Sequence, residues 1–297
     1  MAIAEVSVIG AGLMGAALVE RLLECGYRVF VYNRTPGKIE KLLGGGAIPI
    51  AVIDEGFMSR GGMLILCLRD ETSIMDVFSP VVRKMKGRRE CRGMIINTST
   101  VGVEASRRLD AFFKNSNIEY LELPVSGGVE GAQSGQLVGY IGKEPSLLRH
   151  EFCGLINNML SDFCYMPSNE MAQAMKVINN YCESIHLLVA AEALVLAECC
   201  GIEKEVIGAS LALGRGRSVY LELLLERYKS NVRDVSVPMS IRIKDLALVG
   251  ELFSRLKVPS SFYSTAYEHY STIESSSPHT VDQMESYQFL LNAVRAM

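Results

Sequence analysis

Residues 5–15 read EVSVIGAGLMG, and residues 29–38 follow with VFVYNRTPGK. Val6, Val8 and Ile9 make a short strand-like run, Gly10, Gly12 and Gly15 punctuate what comes next, and Leu13 to Cys25 carries a helical pattern. A strand that feeds a glycine turn and then a helix gathers the unpaired N–H groups of the helix start in one place. In that context Gly10 makes the turn, Gly12 lets the backbone approach a pyrophosphate, and Gly15 lets the helix pack closely. Gly10, Ala11, Gly12, Leu13, Met14 and Gly15 are therefore expected to cradle a dinucleotide. A plain structural turn with spare glycines would not explain why strand and helix flank it.

The end of the second strand-like run selects between the two nicotinamide dinucleotides. An NAD-preferring site places Asp or Glu there for the ribose hydroxyls, whereas this chain has Asn33, Arg34 and Thr35. No carboxylate stands in place to repel a 2′-phosphate. Arg34 offers a permanently charged fork, Thr35 a hydroxyl, and Lys38 further charge one turn later. The expected cofactor is NADP(H); the competing reading leaves Arg34 as a solvated loop arginine.

The rest of the composition is consistent with an ordinary globular protein. The chain has 297 residues, 49% of them hydrophobic, and a formal net charge of −3. That length suits two cores in two domains, and the balanced charges leave no basic footprint for nucleic acid. Eight cysteines, Cys25, Cys67, Cys91, Cys153, Cys164, Cys182, Cys199 and Cys200, form no CxxC pair and read as buried reduced thiols of a cytoplasmic protein. The four histidines share no helix face and join no cysteine cluster, so no metal is expected. The N-terminal residues lack the pattern of a signal peptide, and no run of eighteen apolar residues would span a membrane.

Up to residue 166, short apolar runs (VSVIG, RVFVY, MLILCL, GMIINTS, IEYLELP) alternate with amphipathic stretches. That alternation predicts an α/β domain, a Rossmann-type doubly wound parallel sheet covered by helices, over residues 1–166. From residue 167 onward the pattern becomes helical. Pro167-Ser168-Asn169 offers a helix start, and the next glycine after it is Gly201. A helix over 169–200 would be roughly 45 Å long, a spine joining the first domain to an all-α second domain over 167–297. GRGRS at 214–218 and IESSSPHT at 273–280 read as loops.

Three further stretches carry chemistry. NTSTV at 97–101 holds Thr100, which on residue type alone would serve equally as a helix cap. LPVSGGVEGAQSGQL at 123–137 places Ser126, Gly127 and Gly128 after a strand, where bare backbone N–H groups and a hydroxyl can hold a carboxylate without a fixed cation. AMKVINN at 174–180 sets Lys176 and Asn180 four apart on one helix face, with Asn179 and Glu183 beside them. Taken alone, Lys176 reads better as a lysine reaching past an apolar face to solvent. Together with Gly131, Ala132 and Gly135, these segments resemble the β-hydroxyacid dehydrogenase family over nearly the whole chain. The resemblance implies an oxidoreductase in which Thr100 meets the nicotinamide end, Ser126, Gly127, Gly128 and Asn180 bind substrate, and Lys176 is catalytic. It further implies that Lys244 reaches the cofactor, oriented by Asp245, and it also matches Glu192. The expected partner is a small carboxylate-bearing aldehyde or keto acid, and the helical second half suggests a homodimer or homotetramer.

The chain departs from the family pattern at several places. Asn97 replaces an aspartate, Glu170 and Ala172 replace glycines, Pro167-Ser168 replaces a glycine-bearing segment, Val237 replaces an aromatic, and the acidic C-terminal motif is reduced to the surroundings of Asp282. These changes bear on the substrate more than on the reaction type. An imine reductase of the same architecture is an alternative, although such enzymes replace the lysine with Asp or Tyr. A non-catalytic NADP-binding sensor or scaffold is another. A 6-phosphogluconate dehydrogenase would share the first domain but needs a much larger second one.

Overall fold

The computed structural model describes residues 4–59, 62–85, 93–116, 118–230, 235–277 and 279–296. The chain divides into two compact units, Met1–Lys176 and Val177–Met297. The first unit contains β1 (Glu5–Ile9), α1 (Leu13–Glu24), β2 (Arg28–Tyr32), α2 (Glu40–Gly44), β3 (Ile48–Pro49), α3 (Glu55–Ser59), β4 (Gly62–Leu66), α4 (Glu71–Met85), β5 (Gly93–Asn97), α5 (Val103–Lys114) and β6 (Glu119–Glu122). It continues through β7 (Val125–Ser126), α6 (Gly128–Ser134), β8 (Leu137–Ile141), α7 (His150–Met159) and β9 (Leu160–Tyr165) to the start of α8 (Asn169–Cys199). The second unit holds the rest of α8, then α9 (Lys204–Leu213), α10 (Val219–Ser230), α11 (Met239–Leu256), α12 (Tyr263–Ser276) and α13 (Ser286–Arg295).

Six strands form one sheet in the order β3-β2-β1-β4-β5-β6, every neighbouring pair parallel. Both faces are covered, and side-chain alternation divides each strand between two cores. Val6, Val8, Met63, Ile65, Met94 and Ile96 face the layer that includes Leu18 and Leu22 of α1 and Phe152 and Leu155 of α7. Ile9, Leu64, Leu66 and Ile95 face the layer of Ile74 and Phe78 of α4 and Leu109 and Phe113 of α5. The architecture is the doubly wound α/β domain expected. A smaller sheet, β7-β8-β9, is an addition that the apolar runs did not announce, because β9 is a largely exposed edge strand.

The units divide after Lys176 rather than at residue 166. The first turns of α8 are fastened to the α/β unit: Asn169 accepts from the Glu122 N–H and donates to Asp110, and the side chain of Gln173 bonds to residues 99–102. The helix closes at Gly201, whose φ of +75° permits the left-handed residue of a Schellman turn. In that turn the Gly201 N–H donates to the Glu198 carbonyl and the Ile202 N–H to the Ala197 carbonyl.

The second unit is helical around its own core, with Tyr270, Tyr287, Leu224 and Leu246 fully or almost fully buried. Among the described residues, no helix is long and apolar enough to cross a membrane, and no group of three His, Cys, Asp or Glu side chains could hold a metal ion. The cysteines correct one expectation. None of the seven described is in a disulfide, but Cys153, Cys164, Cys182, Cys199 and Cys200 are exposed and Cys25 and Cys67 half-buried. The apolar runs that carry them place these positions on outward faces of helices and on the edge strand β9. Cys91 lies outside the described residues.

Candidate active site

The carboxyl ends of β1 and β4 lie side by side where the strand order reverses, the crevice in which open α/β sheets take ligands. Gly10 turns the chain there with φ of +102°, and a Cβ on it would strike the Cys67 carbonyl. A Cβ on Gly15 would strike the Gly10 carbonyl. Gly12 differs, because a Cβ there would meet no protein atom within 4 Å. Helix α1 begins at Gly12 with no side-chain cap and no acid in its first turn. The first helical bond runs from the Ala16 N–H to the Gly12 carbonyl, so the amides of Leu13, Met14 and Gly15 precede it at the positive end of the helix. This cradle fits the pyrophosphate of a nicotinamide dinucleotide.

The triplet after β2 divides its work. Asn33 accepts from the Ala11 N–H at 3.0 Å and donates to the Thr35 carbonyl at 2.9 Å, so its side chain fastens the end of β2 to the glycine turn. Arg34 projects outward, 84% exposed, with Asp76 of α4 at 4.0 Å. Thr35 and Lys38 are exposed beside it.

Thr100 is half-buried in the loop between β5 and α5. The N-cap position of α5 is Gly102. The backbone on both sides of Thr100 is held by Gln173, which donates to the Ser99 carbonyl (2.8 Å) and accepts from the Val101 and Gly102 N–H groups (3.0 and 3.1 Å). Gln173 also donates to Glu122 at 2.7 Å. Glu122 is fully buried and accepts from Asn97 (2.9 Å) and from the Tyr120 hydroxyl (2.7 Å). Burial pushes its carboxyl up to about 7, although the bonds it accepts favour the anion. The neutral amide at position 97 follows from this, since an aspartate there would set a second carboxylate against a buried first one. Residue type gave no sign of Gln173 or Glu122; their nearness in sequence to Lys176 and Ser126 was the available signal.

Ser126 ends β7 half-buried, and Gly127 and Gly128 follow with φ of +129° and +68°, conformations that leave their amides at the mouth of α6. Gly131 and Ala132 are buried on α6 against α1, and Gly135 closes α6 in the left-handed region. These three residues serve packing.

Lys176 is buried, 7% exposed, on α8. Glu170, at the start of that helix, is matched by a two-pronged pair with Arg107 (3.0 and 2.8 Å), so the charge that replaces a glycine is compensated. Ala172 is fully buried.

In the helical unit, Asn180 is buried and donates to Asp245 at 2.7 Å, and Asp245 pairs with Lys244 at 2.7 Å. Arg242, buried one turn of α11 before Asp245, donates to the Asn180 carbonyl, Ser184, Glu183, Tyr220 and Gln283. Sequence reasoning missed Arg242 and Gln283. Glu192 is exposed. Asp282 is a structural knot that accepts from the Ser236, Val237 and Met284 N–H groups.

The model of the NAD-binding domain of 6-phosphogluconate dehydrogenase matches residues 5–150, and that of the NAD-binding domain of NADP-dependent 3-hydroxyisobutyrate dehydrogenase matches residues 171–290. The 2-(hydroxymethyl)glutarate dehydrogenase of Eubacterium barkeri is 22% identical over 256 residues, covering 86% of this chain and 84% of its own. The glyoxylate/succinic semialdehyde reductase 2 of Arabidopsis thaliana is 24% identical over 271 residues, covering 91% and 75%. Among solved structures, Psf3 in complex with NADP+ and 2-OPP superposes with a TM-score of 0.81 at 26% identity over 96% of this chain and 99% of that one. A glycine cradle at the switch point, followed by a helical unit that matches the 3-hydroxyisobutyrate dehydrogenase type, places the chain in the β-hydroxyacid dehydrogenase family of nicotinamide-dependent oxidoreductases.

Proposed function

We propose that this protein is an NADPH-dependent reductase of a small semialdehyde or 2-oxo acid, such as glyoxylate or succinic semialdehyde, and that it runs reversibly as a hydroxyacid dehydrogenase. The observation that carries the reading is Lys176, a buried amine with Asn180 one turn further along the same helix. A buried ammonium with a task is the simplest account of a lysine in that position. Bound NADPH supplies the hydride. Lys176 donates a proton to the substrate oxygen as the carbonyl becomes a hydroxyl, and Asn180 hydrogen-bonds that oxygen or the substrate carboxylate. Ser126 with the Gly127 and Gly128 amides holds the carboxylate. Thr100 and Lys244 attend the nicotinamide end. The names of the two relatives, a hydroxyacid dehydrogenase and a semialdehyde reductase, support the substrate class.

Lys176→Ala tests the reading. Turnover with glyoxylate, succinic semialdehyde or a related semialdehyde should fall about 10² to 10⁴-fold, while NADPH affinity changes little. Lys176→Arg should not restore it, because a guanidinium stays protonated and donates poorly. A Lys176→Ala enzyme that keeps most of its kcat would remove Lys176 from the chemistry.

The preference for NADPH rests on exposed Arg34, Thr35 and Lys38 and on the missing acid after β2. Arg34→Ala should weaken NADPH binding by on the order of 1.5 to 3 kcal/mol and leave NADH binding unchanged. Equal losses for the two would mean that Arg34 does not read the 2′-phosphate. We further propose that two or more copies assemble through the helical unit.

A further inference from the structure

We propose that Glu122 is a positioning residue: acting through Gln173, it places both the loop that carries Thr100 and the turn of α8 that carries Lys176. This rests on the reading above in taking Thr100 and Lys176 as functional.

The side chain of Gln173 has two acceptor positions and two donor hydrogens, and all four are used. Its oxygen receives the Val101 and Gly102 N–H groups; its nitrogen gives one hydrogen to the Ser99 carbonyl and the other to Glu122. Turning the amide over would aim an NH2 group at two N–H donors. The orientation is therefore the one in which Gln173 grips the chain on both sides of Thr100, and Glu122 supplies the acceptor that favours it.

Glu122 is itself fixed on three sides. One oxygen takes Asn97 and Gln173, and the other takes the Tyr120 hydroxyl. Its backbone N–H donates to Asn169 in the first turn of α8, so side chain and main chain of one residue engage two successive turns of that helix. Gln173 and Lys176 are three residues apart and hence neighbours on the helix surface. A buried carboxyl is costly in a domain held by apolar packing on both faces of its sheet. Holding three segments of chain, residues 97–102, 120–122 and 169–173, at one point is a sufficient return.

The experiment compares Glu122→Leu, Glu122→Gln and Gln173→Leu with wild type. It reads hydrogen exchange of the Val101 and Gly102 amides, NADPH affinity by fluorescence titration, and kcat with the semialdehyde that gives turnover. Glu122→Leu and Gln173→Leu should each speed exchange of those two amides at least about tenfold and weaken NADPH binding and kcat together. The double variant should be scarcely worse than either single one, since both cut the same link. Glu122→Gln retains an oxygen for Gln173 and should restore wild-type exchange, affinity and kcat, a rescue that loss of general stability would not show. The inference is overturned if Glu122→Gln loses as much as Glu122→Leu, or if Gln173→Leu leaves the two amides protected. Should Glu122→Leu fail to fold, Gln173→Leu decides alone, because it leaves Glu122 bonded to Asn97 and Tyr120. The amide exchange needs neither cofactor nor turnover. If Lys176→Ala proved fully active, the reading of Lys176 would fall while the exchange data still judged the clamp.

Discussion

Because the carboxyl of Glu122 is raised from 4.5 to about 7 in the folded protein, its ionisation is linked to folding. Between those values the native state holds a proton that the unfolded chain releases. Stability contributed by this group is therefore complete below about pH 4.5 and is lost as pH rises through 7. At about 1.4 kcal/mol per unit the loss is on the order of 3 kcal/mol. Urea unfolding of wild type at pH 5, 6, 7 and 8 should show that decline, and Glu122→Gln, which cannot titrate, should flatten it. An equal slope in the two proteins would mean that Glu122 titrates normally. The family resemblance made Lys176, Asn180 and Ser126 candidates, but neither it nor residue type gave a reason for Asn97 in place of an aspartate. That reason lies 25 positions away in sequence, where Asn97 donates to Glu122. Only the sheet register, which sets Asn97 opposite Glu122, brings the two together.

Among the elements, the glycine turn was the most readable from sequence, because its constraints are local: strand, turn and helix follow within about twenty residues and each glycine has a backbone reason. The three glycines are not equivalent, and this yields a paired prediction. Gly12→Ala adds a methyl where no protein atom lies within 4 Å, so the fold should tolerate it, while the methyl occupies space that the pyrophosphate needs. Gly15→Ala instead drives a methyl into the Gly10 carbonyl. Melting temperature should therefore fall for Gly15→Ala and hold for Gly12→Ala, whereas NADPH affinity should fall for both. A Gly12→Ala protein that binds NADPH normally would remove the cofactor from that cradle. The lashing of α8 to the α/β unit was not readable in the same way. It depends on pairs such as Arg107 with Glu170 and Gln173 with Ser99, which are more than sixty residues apart and carry no periodic signal. For the same reason the expected boundary fell at the start of the long helix, and the observed one after two of its turns.

At the scale of the molecule, the two units have different demands. The sheet is covered on both faces by its own helices, but the helical unit leaves Ile178, Val189 and Leu196 of α8 exposed, with Ile185 half-buried between them. Spacings of seven, four and seven put these four on one stripe, the pattern of a helix that packs against another along its length. A closed pair of identical chains would bring the stripe against itself, each aliphatic side chain gaining about 1.5 to 3 kcal/mol if fully buried. Light scattering at micromolar concentration should therefore return at least twice the 32.6 kDa of one chain. Val189→Glu would set a carboxylate against apolar neighbours and, across a two-fold axis, near its own copy, so it should shift the mass toward a single chain. On an exposed stripe the same change should alter melting only through the lost association, which makes the melting temperature of wild type depend on concentration and that of the variant independent of it. A single-chain mass for wild type, or an unchanged mass for Val189→Glu, would show that this stripe is not what joins the copies.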